Sequence, residues 1–204
     1  MEFPIFDHND RIFDMVELSG YEQEHIRGKP IKYIKYTIDL FKKHTNANVI
    51  LEVGSIRKVM EHPIEEFYPS CCNDGHSTYF WKKYTDAEIY TVDIDPRCKT
   101  IIENDDRLEG VFSYTQDAVE FLSSFDKMVD LLFLDAWDVI ADTPYAEEHL
   151  NAYNIIKPKL SEKCLILIDD TDIAKGGKGR LLVPKLIDDG FKMLISGRQT
   201  LFVR

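Results

Sequence analysis

Short apolar runs alternate along the chain with longer segments in which apolar residues recur every three or four positions. Continuous apolar runs are typical of parallel strands covered on both faces, and the three-to-four periodicity is typical of amphipathic helices. The runs predict strands at 49–53, 88–93, 110–114, 128–134 and 164–168. The periodic segments predict helices between and after them, at 76–84, 96–104, 117–124, 144–157 and 179–189.

Two more apolar runs close the chain, at 191–196 and 199–204, and only Gly197 and Arg198 separate them. That spacing predicts a tight antiparallel hairpin. Strands that alternate with helices predict a parallel sheet with right-handed crossovers. The sequence therefore predicts an α/β protein with a Rossmann-like, doubly wound sheet, helices on both faces and an antiparallel strand in the closing hairpin.

The first part of the chain differs from this repeating pattern. Residues 1–45 predict an N-terminal helical extension with a short helix near 9–18 and a second helix at 31–44. The apolar face of the second helix would consist of Ile31, Ile34, Ile38 and Phe41. Residues 46–204 would form the main domain as one compact unit.

Composition narrows the class of protein. The chain has 204 residues, 36 acids against 25 bases and a net charge of −11, which argues against a polyanionic partner such as nucleic acid. Four cysteines are too few for a secreted disulfide scaffold, and neither a signal peptide nor a membrane-spanning apolar run is evident. We therefore expect a cytoplasmic protein with no membrane insertion.

An acidic residue stands at or shortly after four of the five predicted parallel strands. These residues are Asp93, Asp117, Asp135 and the adjacent pair Asp169 and Asp170. The carboxyl ends of parallel strands lie at one edge of a sheet, where ligands of such folds bind. We therefore expect these carboxylates to surround one site.

Three positions at that edge indicate a cofactor with a nucleoside part. Gly54 follows the first strand and lets the backbone turn sharply beside a ligand. Asp93 ends the second strand, where an acid can accept both hydroxyls of a ribose, and Asp117 with Ala118 follows the third, near an adenine edge. A nicotinamide-dependent oxidoreductase is one alternative, weakened because no GxGxxG follows the first strand. A non-catalytic binding module is another.

In chain order, five segments resemble the motifs of class I S-adenosylmethionine-dependent methyltransferases: EVGS at 52–55, DGHST at 74–78, YTVDIDP at 90–96, DA at 117–118 and LD at 134–135. The resemblance covers residues 46–204 and implies a seven-stranded sheet in the order 3-2-1-4-5-7-6. It implies S-adenosylmethionine as cofactor, with Gly54 under the methionine part, Asp93 at the ribose and Asp117 at the adenine amine. The cofactor-binding residues that it implies are Glu52, Gly54, Ser55, Gly75, His76, Ser77, Thr78, Asp93, Asp117, Ala118 and Asp135.

The first motif departs from the family pattern. The family pattern has a second glycine two residues after the first. In this chain Ser55, Ile56 and Arg57 follow Gly54 instead, and Gly75 resembles the later glycine of the motif. We interpret 58–73 as an inserted loop over the pocket. It would be a lid, an acceptor-binding element or a tolerated surface excursion.

A narrower resemblance concerns the metal-dependent macrocin-type sugar O-methyltransferases. It is carried by LD at 134–135, IKPKL at 156–160 and LIDDT at 167–171. It implies a divalent cation, Mg²⁺ for instance, on Asp135, Asp169 and Asp170. Converging carboxylates repel one another without a cation, and Mg²⁺ prefers oxygen ligands. The alternative is that the Asp169–Asp170 pair is a solvated strand end.

Together these features predict a Mg²⁺-dependent O-methyltransferase that acts on a hydroxyl of a sugar or glycan. Asp135 and His149 are the candidate catalytic bases, and Trp137 and Tyr145 either line the acceptor pocket or pack in the core. A catechol-type acceptor and a non-catalytic module that binds S-adenosylmethionine are the alternatives. Whether the chain forms a homo-oligomer or is part of a longer glycan-synthesis polypeptide stays open.

A glycine-rich segment, KGGKG at 175–179, resembles a phosphate cradle. It lacks the preceding glycine and the terminal Ser or Thr of a nucleotide-hydrolysing P-loop. We expect a mobile loop beside the active site, whose lysines could meet a phosphorylated acceptor.

Overall fold

A computed structural model describes residues 31–43, 48–61, 64 and 75–204. Its strands form one seven-stranded sheet: β1 Val49–Val53, β2 Glu88–Asp93, β3 Phe112–Thr115, β4 Val129–Leu134, β5 Leu160–Ile168, β6 Lys192–Ile195 and β7 Thr200–Val203. The strand order is β3-β2-β1-β4-β5-β7-β6, which confirms the predicted fold.

The pairing of these strands sets the position of the site. β1 pairs in parallel with β2 and β4, and the parallel ladder extends outward to β3 and β5. β7 runs antiparallel to both of its neighbours, β5 and β6. The carboxyl ends of β1 to β5 therefore lie at one edge of the sheet, as the acidic residues after those strands require.

Six α-helices cover the sheet in the described residues: α1 Ile31–Phe41, α2 Ser77–Tyr84, α3 Pro96–Asn104, α4 Ala118–Ser124, α5 Tyr145–Ile156 and α6 Leu182–Asp188. Alternate strand residues point to opposite faces, so the central strands β1, β2, β4 and β5 each contribute to two cores. Ile50 and Leu131 pack on the face of α1, α2 and α3, and Leu51 and Leu132 pack on the face of α4, α5 and α6.

Element boundaries differ from the sequence prediction mainly at β5. This strand begins at Leu160 instead of 164, because Leu160 pairs with Val129 across a register shift. Glu162 and Lys163 are exposed in this first part, so hydrophobicity could not mark it as strand. The predicted helix at 31–44 is observed as α1, and Ile34, Ile38 and Phe41 are buried as expected.

Several sequence predictions fall outside the described residues. They are the helix near 9–18, the remainder of the extension at 1–30 and most of the inserted loop at 58–73, with Cys71 and Cys72. The division into an extension at 1–45 and a domain at 46–204 therefore stays a prediction. Cys98 and Cys164 are buried free thiols. Of the helices that the structure describes, none has the length and apolarity needed to cross a bilayer.

Gly54 fixes the spacing between the ends of β1 and β4. Its backbone has φ +92°, and its N–H donates to the carbonyl of Val92 on β2 at 2.9 Å. A Cβ added at Gly54 would lie 2.7 Å from the carbonyl carbon of Asp135, closer than side-chain carbons approach backbone atoms. Only glycine therefore allows both the turn and this close backbone approach.

Replacement of Gly54 by alanine should destabilise the protein more than the same change at Gly190. Gly190 also has positive φ, +85°, but an added Cβ meets nothing within 4 Å, so Gly190→Ala measures the backbone strain alone. We expect Gly54→Ala to lower the free energy of unfolding by about 1–3 kcal/mol beyond that control, as overpacking does. Urea denaturation of both variants measures the difference, and equal losses would contradict the close approach.

Candidate active site

A cleft of about 420 Å³ lies at the carboxyl edge of the sheet, where β1, β2 and β4 end. Its volume falls in the range of small-molecule sites. Six of the predicted cofactor-binding residues line it: Gly54, Ser55, Asp93, Asp117, Ala118 and Asp135. The structure therefore brings together residues that the sequence spreads over more than 80 positions.

Asp93 is held in the cleft wall by two backbone N–H groups. Its Oδ2 accepts from the N–H of Ser55 and its Oδ1 accepts from the N–H of Asp95, both at 2.9 Å. These bonds join the loop after β1 to the loop after β2. Each carboxylate oxygen has a second lone pair, so Asp93 can still accept hydrogen bonds from a ligand in the cleft.

Ser55 supplies a polar group that the described protein atoms leave unpaired. Its side chain is 4% exposed, and its Oγ has no hydrogen-bond partner among the described residues. Buried hydroxyl groups normally have partners. The Ser55 Oγ is therefore an orphaned polar atom that lies beneath the surface of the cleft.

Asp117 has a structural task as well as a place in the cleft. Its Oδ1 accepts from the N–H groups of Val119 at 2.9 Å and Glu120 at 3.1 Å, so it caps the first turn of α4. Ala118 begins the helix beside it. The predicted contact of Asp117 with an adenine amine stays a prediction.

Five predicted cofactor-binding residues are not among the described residues that line the cleft: Glu52, Gly75, His76, Ser77 and Thr78. Gly75 packs against the backbone of Ser55 so closely that an added Cβ would overlap the Ser55 carbonyl oxygen. The Nε2 of His76 lies 3.0 Å from the carbonyl oxygen of Lys58. Both residues thus shape the loop after β1 from behind the cleft.

Glu52 joins β1 to α2 through a wholly buried carboxylate. Its Oε1 accepts from Ser77 Oγ at 2.7 Å and from Trp81 Nε1 at 2.9 Å, and its Oε2 accepts from Thr78 Oγ1 at 2.6 Å. Burial raises the pKa of Glu52 from an ordinary 4.5 to about 7, although these hydrogen bonds lower it in part. In this structure Glu52, Ser77 and Thr78 therefore position the β1–α2 segment.

The second feature of the site is a cluster of three carboxylates. Asp135 follows β4, and Asp169 and Asp170 follow β5, and each offers an oxygen within 4.8 Å of the others. The neighbouring strands β4 and β5 bring them together, as the sequence predicted. Asp170 turns its carboxylate inward from a left-handed backbone with φ +51°.

Lys178 enters this cluster from the segment 174–179. Its Nζ donates to Asp135 Oδ1 at 2.6 Å and to the Asp135 carbonyl oxygen at 3.1 Å, and it lies 3.2 Å from Asp170 Oδ2. The side chain is 1% exposed. The lysine is therefore part of the cluster and not a solvent-facing ion pair.

Two residues of the β6–β7 turn complete the surroundings of the cluster. Arg198 forms an ion pair with Asp170, and its Nη2 lies 3.6 Å from Asp169 Oδ2. Gln199 donates from Nε2 to Asp169 Oδ1 at 2.7 Å. The sequence marked this turn only as a hairpin, so its contribution to the site was missed.

The charges in the cluster shift one another's pKa values. Burial alone raises the pKa of Asp135, but the Lys178 ammonium outweighs it and holds that pKa below its usual value. Burial and the adjacent carboxylates raise the pKa of Asp169 well above its usual range. Burial would lower the pKa of Lys178, yet the three carboxylates raise it. Asp135 and Lys178 are therefore both charged at neutral pH.

The contacts of the three carboxylates determine whether they can hold a divalent cation. Carboxylate oxygens are the ligands that Mg²⁺ prefers. The three carboxylates have six oxygens, and five of them, one of Asp135 and both of Asp169 and Asp170, lie within 3.6 Å of a nitrogen of Lys178, Arg198 or Gln199. The chemistry and the convergence of the oxygens fit Mg²⁺, but in this arrangement nitrogens of Lys178, Arg198 and Gln199 lie beside most of them.

His149, the second predicted base, is fully buried on α5. Its Nδ1 lies 2.6 Å from the carbonyl oxygen of Tyr145, and because a carbonyl only accepts, Nδ1 carries the proton. Burial lowers the pKa of His149 to about 4, so the ring is neutral at pH 7. It packs edge-on against Trp137, which lines the cleft, at 5.1 Å between ring centroids. His149 thus lies behind the cleft wall, and its role as a base stays a prediction.

The segment around Lys178 is fixed to the site, in contrast to the mobile loop expected from its glycines. Lys178 N–H donates to the carbonyl of Asp170 at 3.3 Å, and a Cβ on Gly177 would overlap that same carbonyl oxygen. Lys175 is exposed, whereas Lys178 is paired with the carboxylates. In the sequence, the three glycines near Lys178 mark this segment as unusual, but they do not reveal which partner the lysine contacts.

The fold is shared with solved structures of methyltransferases. The structure is similar to the SAH-bound methyltransferase PaMTH1 of Podospora anserina, with a TM-score of 0.59 and 17% identity over 100% of this chain and 99% of that one. A putative caffeoyl-CoA O-methyltransferase from Staphylococcus aureus matches with a TM-score of 0.56 and 15% identity, over 93% and 97% of the two chains.

A third similar structure contains a metal. The methyltransferase MycE of the mycinamycin biosynthetic pathway, in complex with Mg and SAH, has a TM-score of 0.54 and 17% identity over 83% of this chain and 47% of its own length. No family model and no curated protein sequence matches the chain. At these identities the likeness establishes the fold, and the sugar-specific subtype stays a prediction.

The buried carboxylate of Glu52 should make stability depend on pH. The folded protein binds this proton more tightly than the unfolded chain does, so the contribution is complete below pH 4.5 and is lost as pH rises towards 7. The loss should amount to about 3 kcal/mol, from the difference between the two pKa values. Glu52→Gln keeps the shape without the titrating group and should remove this part of the pH dependence.

Urea denaturation of wild type and Glu52→Gln between pH 4 and 8 measures the effect as the difference between the two proteins. Glu120→Gln, at an exposed position on α4, is the matched control. A constant difference between wild type and Glu52→Gln across this range would contradict the assignment.

Proposed function

We propose that this chain binds S-adenosylmethionine and transfers its methyl group to a hydroxyl of a sugar or another small polyhydroxy molecule. The observation that carries the proposal is the carboxylate of Asp93 at the end of β2, fixed in the cleft wall beside the turn at Gly54. This cleft lies at the carboxyl edge of a fold shared with SAH-bound methyltransferases, and SAH is the demethylated product of that cofactor.

The residues of the cleft fit this cofactor. Asp93 would accept the ribose hydroxyls, and Ser55 lines the cleft beside it at the turn after β1. Asp117 and Ala118 would border the adenine, and the backbone at Gly54 would lie under the methionine part. An acidic side chain at the end of the second strand is the usual ribose partner in folds of this kind.

The chemistry divides between the cofactor and the protein. The cofactor supplies a methyl group activated by a sulfonium. The protein has to hold an acceptor oxygen in line with that methyl group. Asp135 lines the cleft and is ionised because of Lys178, so it can accept a hydrogen bond from an acceptor hydroxyl and take its proton as the methyl group is transferred.

The cleft wall supports a polyhydroxy acceptor. Trp137 presents an aromatic side chain there, and sugars stack on aromatic faces. An ion pair between Arg57 and Asp138, with 3.5 Å from Nη1 to Oδ1, provides polar groups at the rim. A catechol-type acceptor is the second candidate, supported by the fold it would share with a putative caffeoyl-CoA O-methyltransferase.

A more specific form of the proposal is that methyl transfer depends on Mg²⁺. It is supported by the three converging carboxylates and by the Mg in the similar MycE structure. The ion pairs of Lys178 and Arg198 oppose it. We therefore assign no step to a metal ion.

Removal of the Asp93 carboxylate should weaken binding of S-adenosylmethionine. We expect Asp93→Ala to cost about 1–3 kcal/mol, which corresponds to roughly a 5- to 150-fold higher Kd, through lost hydrogen bonds to the ribose. Asp126→Ala, an exposed acid at the opposite end of β4, is the control. Calorimetric titration measures both variants, and an unchanged Kd in Asp93→Ala would place the cofactor elsewhere.

Loss of the Asp135 carboxylate should impair methyl transfer. We expect Asp135→Asn to lower the rate by about 10²-fold or more, the contribution typical of a general base, whereas Asp126→Asn should retain full activity. The assay uses methyl-labelled S-adenosylmethionine with a panel of sugars, nucleotide-sugars and catechols. Binding of the cofactor without transfer to any acceptor would favour a non-catalytic module, and fluorescence-detected binding of NADH instead would favour an oxidoreductase.

A further inference from the structure

We propose that the Lys178 ammonium is the built-in cation of the carboxylate cluster formed by Asp135, Asp169 and Asp170, and that it keeps divalent metal ions out of the wild-type site. The inference deepens the proposed function, because it makes methyl transfer by this chain independent of metal. It depends on the contacts of the cluster itself and can be tested without any acceptor.

The cluster requires a positive charge. Three carboxylates have oxygens within 4.8 Å of one another, and Asp169 is almost fully buried. Like charges at such distances repel strongly where water is excluded. A cation among them, whether a metal ion or a protein side chain, relieves this repulsion.

Lys178 meets this requirement with two hydrogen bonds to Asp135 and an ion pair with Asp170. The Asp135 carboxylate, the Asp135 carbonyl and the Asp170 carboxylate lie at 2.6, 3.1 and 3.2 Å from its Nζ. Two of these contacts are hydrogen bonds, and the third is an ion pair with a carboxylate. A lysine that is 1% exposed and paired with two carboxylates is a fixed part of the site.

The backbone around Lys178 is shaped to deliver it. Gly177 lies in the left-handed region at φ +45° and packs directly on the carbonyl of Asp170, where any side chain would overlap. Gly179 leaves a Cβ position only 2.9 Å from side-chain carbons of Thr171 and Val183. Glycine on both sides of Lys178 thus lets the backbone approach closely enough for the ammonium to reach the carboxylates.

Lys178 and a divalent ion would exclude each other. A Mg²⁺ ion binds oxygens at about 2.0–2.1 Å and would need the oxygens of Asp135 and Asp170 that Lys178 now occupies. Lys178 and Arg198 already bring two positive charges to the three carboxylates. An added divalent ion would bring two more into a buried site, beside the positive sulfonium of the proposed cofactor.

Titration with Mn²⁺ alone, followed by the electron paramagnetic resonance signal of the free ion, tests the proposal. We expect no binding to wild type at millimolar Mn²⁺, and binding at least tenfold tighter to Lys178→Met, in which the carboxylates have lost their ammonium. Lys175→Met, at the exposed lysine of the same segment, should behave as wild type. Asp169→Asn combined with Lys178→Met should lose the new binding.

Two results would overturn the proposal. One is Mn²⁺ binding to wild type that Asp169→Asn abolishes, because the ammonium would then not exclude the ion. The other is a folded Lys178→Met that binds no Mn²⁺, because Lys178 would then not be what occupies the cation position. If Lys178→Met does not fold, Lys178→Gln replaces it. If neither variant folds and wild type binds no Mn²⁺, the result supports the proposal, because the cluster then requires this ammonium.

The same samples separate this proposal from the proposed function. Calorimetry should give the same Kd of wild type for S-adenosylmethionine with EDTA and with Mg²⁺. Absence of cofactor binding would refute the proposed function while the Mn²⁺ results still decide the role of Lys178. Once an acceptor is found, a transfer rate that falls tenfold in EDTA and returns with Mg²⁺ would refute metal independence and leave methyl transfer intact.

Discussion

Repulsion among three carboxylates at the carboxyl edge of the sheet must be offset by positive charge from elsewhere in the chain. Strand pairing creates the crowding, because β4 and β5 are parallel neighbours and end in Asp135 and in Asp169 with Asp170. Two segments remote in sequence relieve it, the glycine-rich segment with Lys178 and the β6–β7 turn with Arg198. The wall of the cleft beside β4 therefore depends on charge pairing as much as on apolar packing.

Glu52 on β1 and Asp93 on β2 have different hydrogen-bond partners and therefore different roles. Glu52 meets three side-chain donors of α2 in the core and joins a strand to a helix. Asp93 meets two backbone donors at the edge of the sheet and lines the cleft. Both residues belong to motifs that resemble one cofactor-binding family, yet in this structure only Asp93 lies where it can contact a ligand.

Structural similarity establishes the fold, whereas the reaction is inferred from the residues of the cleft. TM-scores of 0.54–0.59, at identities of 15–17%, establish an architecture shared with the similar methyltransferases, and one architecture can serve many reactions. The proposed reaction depends on local chemistry, namely the fixed Asp93 and the ionised Asp135. The nature of the cation beside Asp135 then distinguishes metal-assisted transfer from transfer with protein groups alone.

The sequence by itself determined the strands, the helices and the edge at which the acids meet, because hydrophobic periodicity encodes which faces are buried. The motif resemblance supplied the strand order and named Asp93, Asp135, Asp169 and Asp170. Only the tertiary structure decided that Glu52 faces α2, that His149 lies behind Trp137 and that Lys178 enters the cluster. These outcomes depend on contacts between distant segments, such as the 43 positions between Lys178 and Asp135, and no local pattern records which partners such side chains meet.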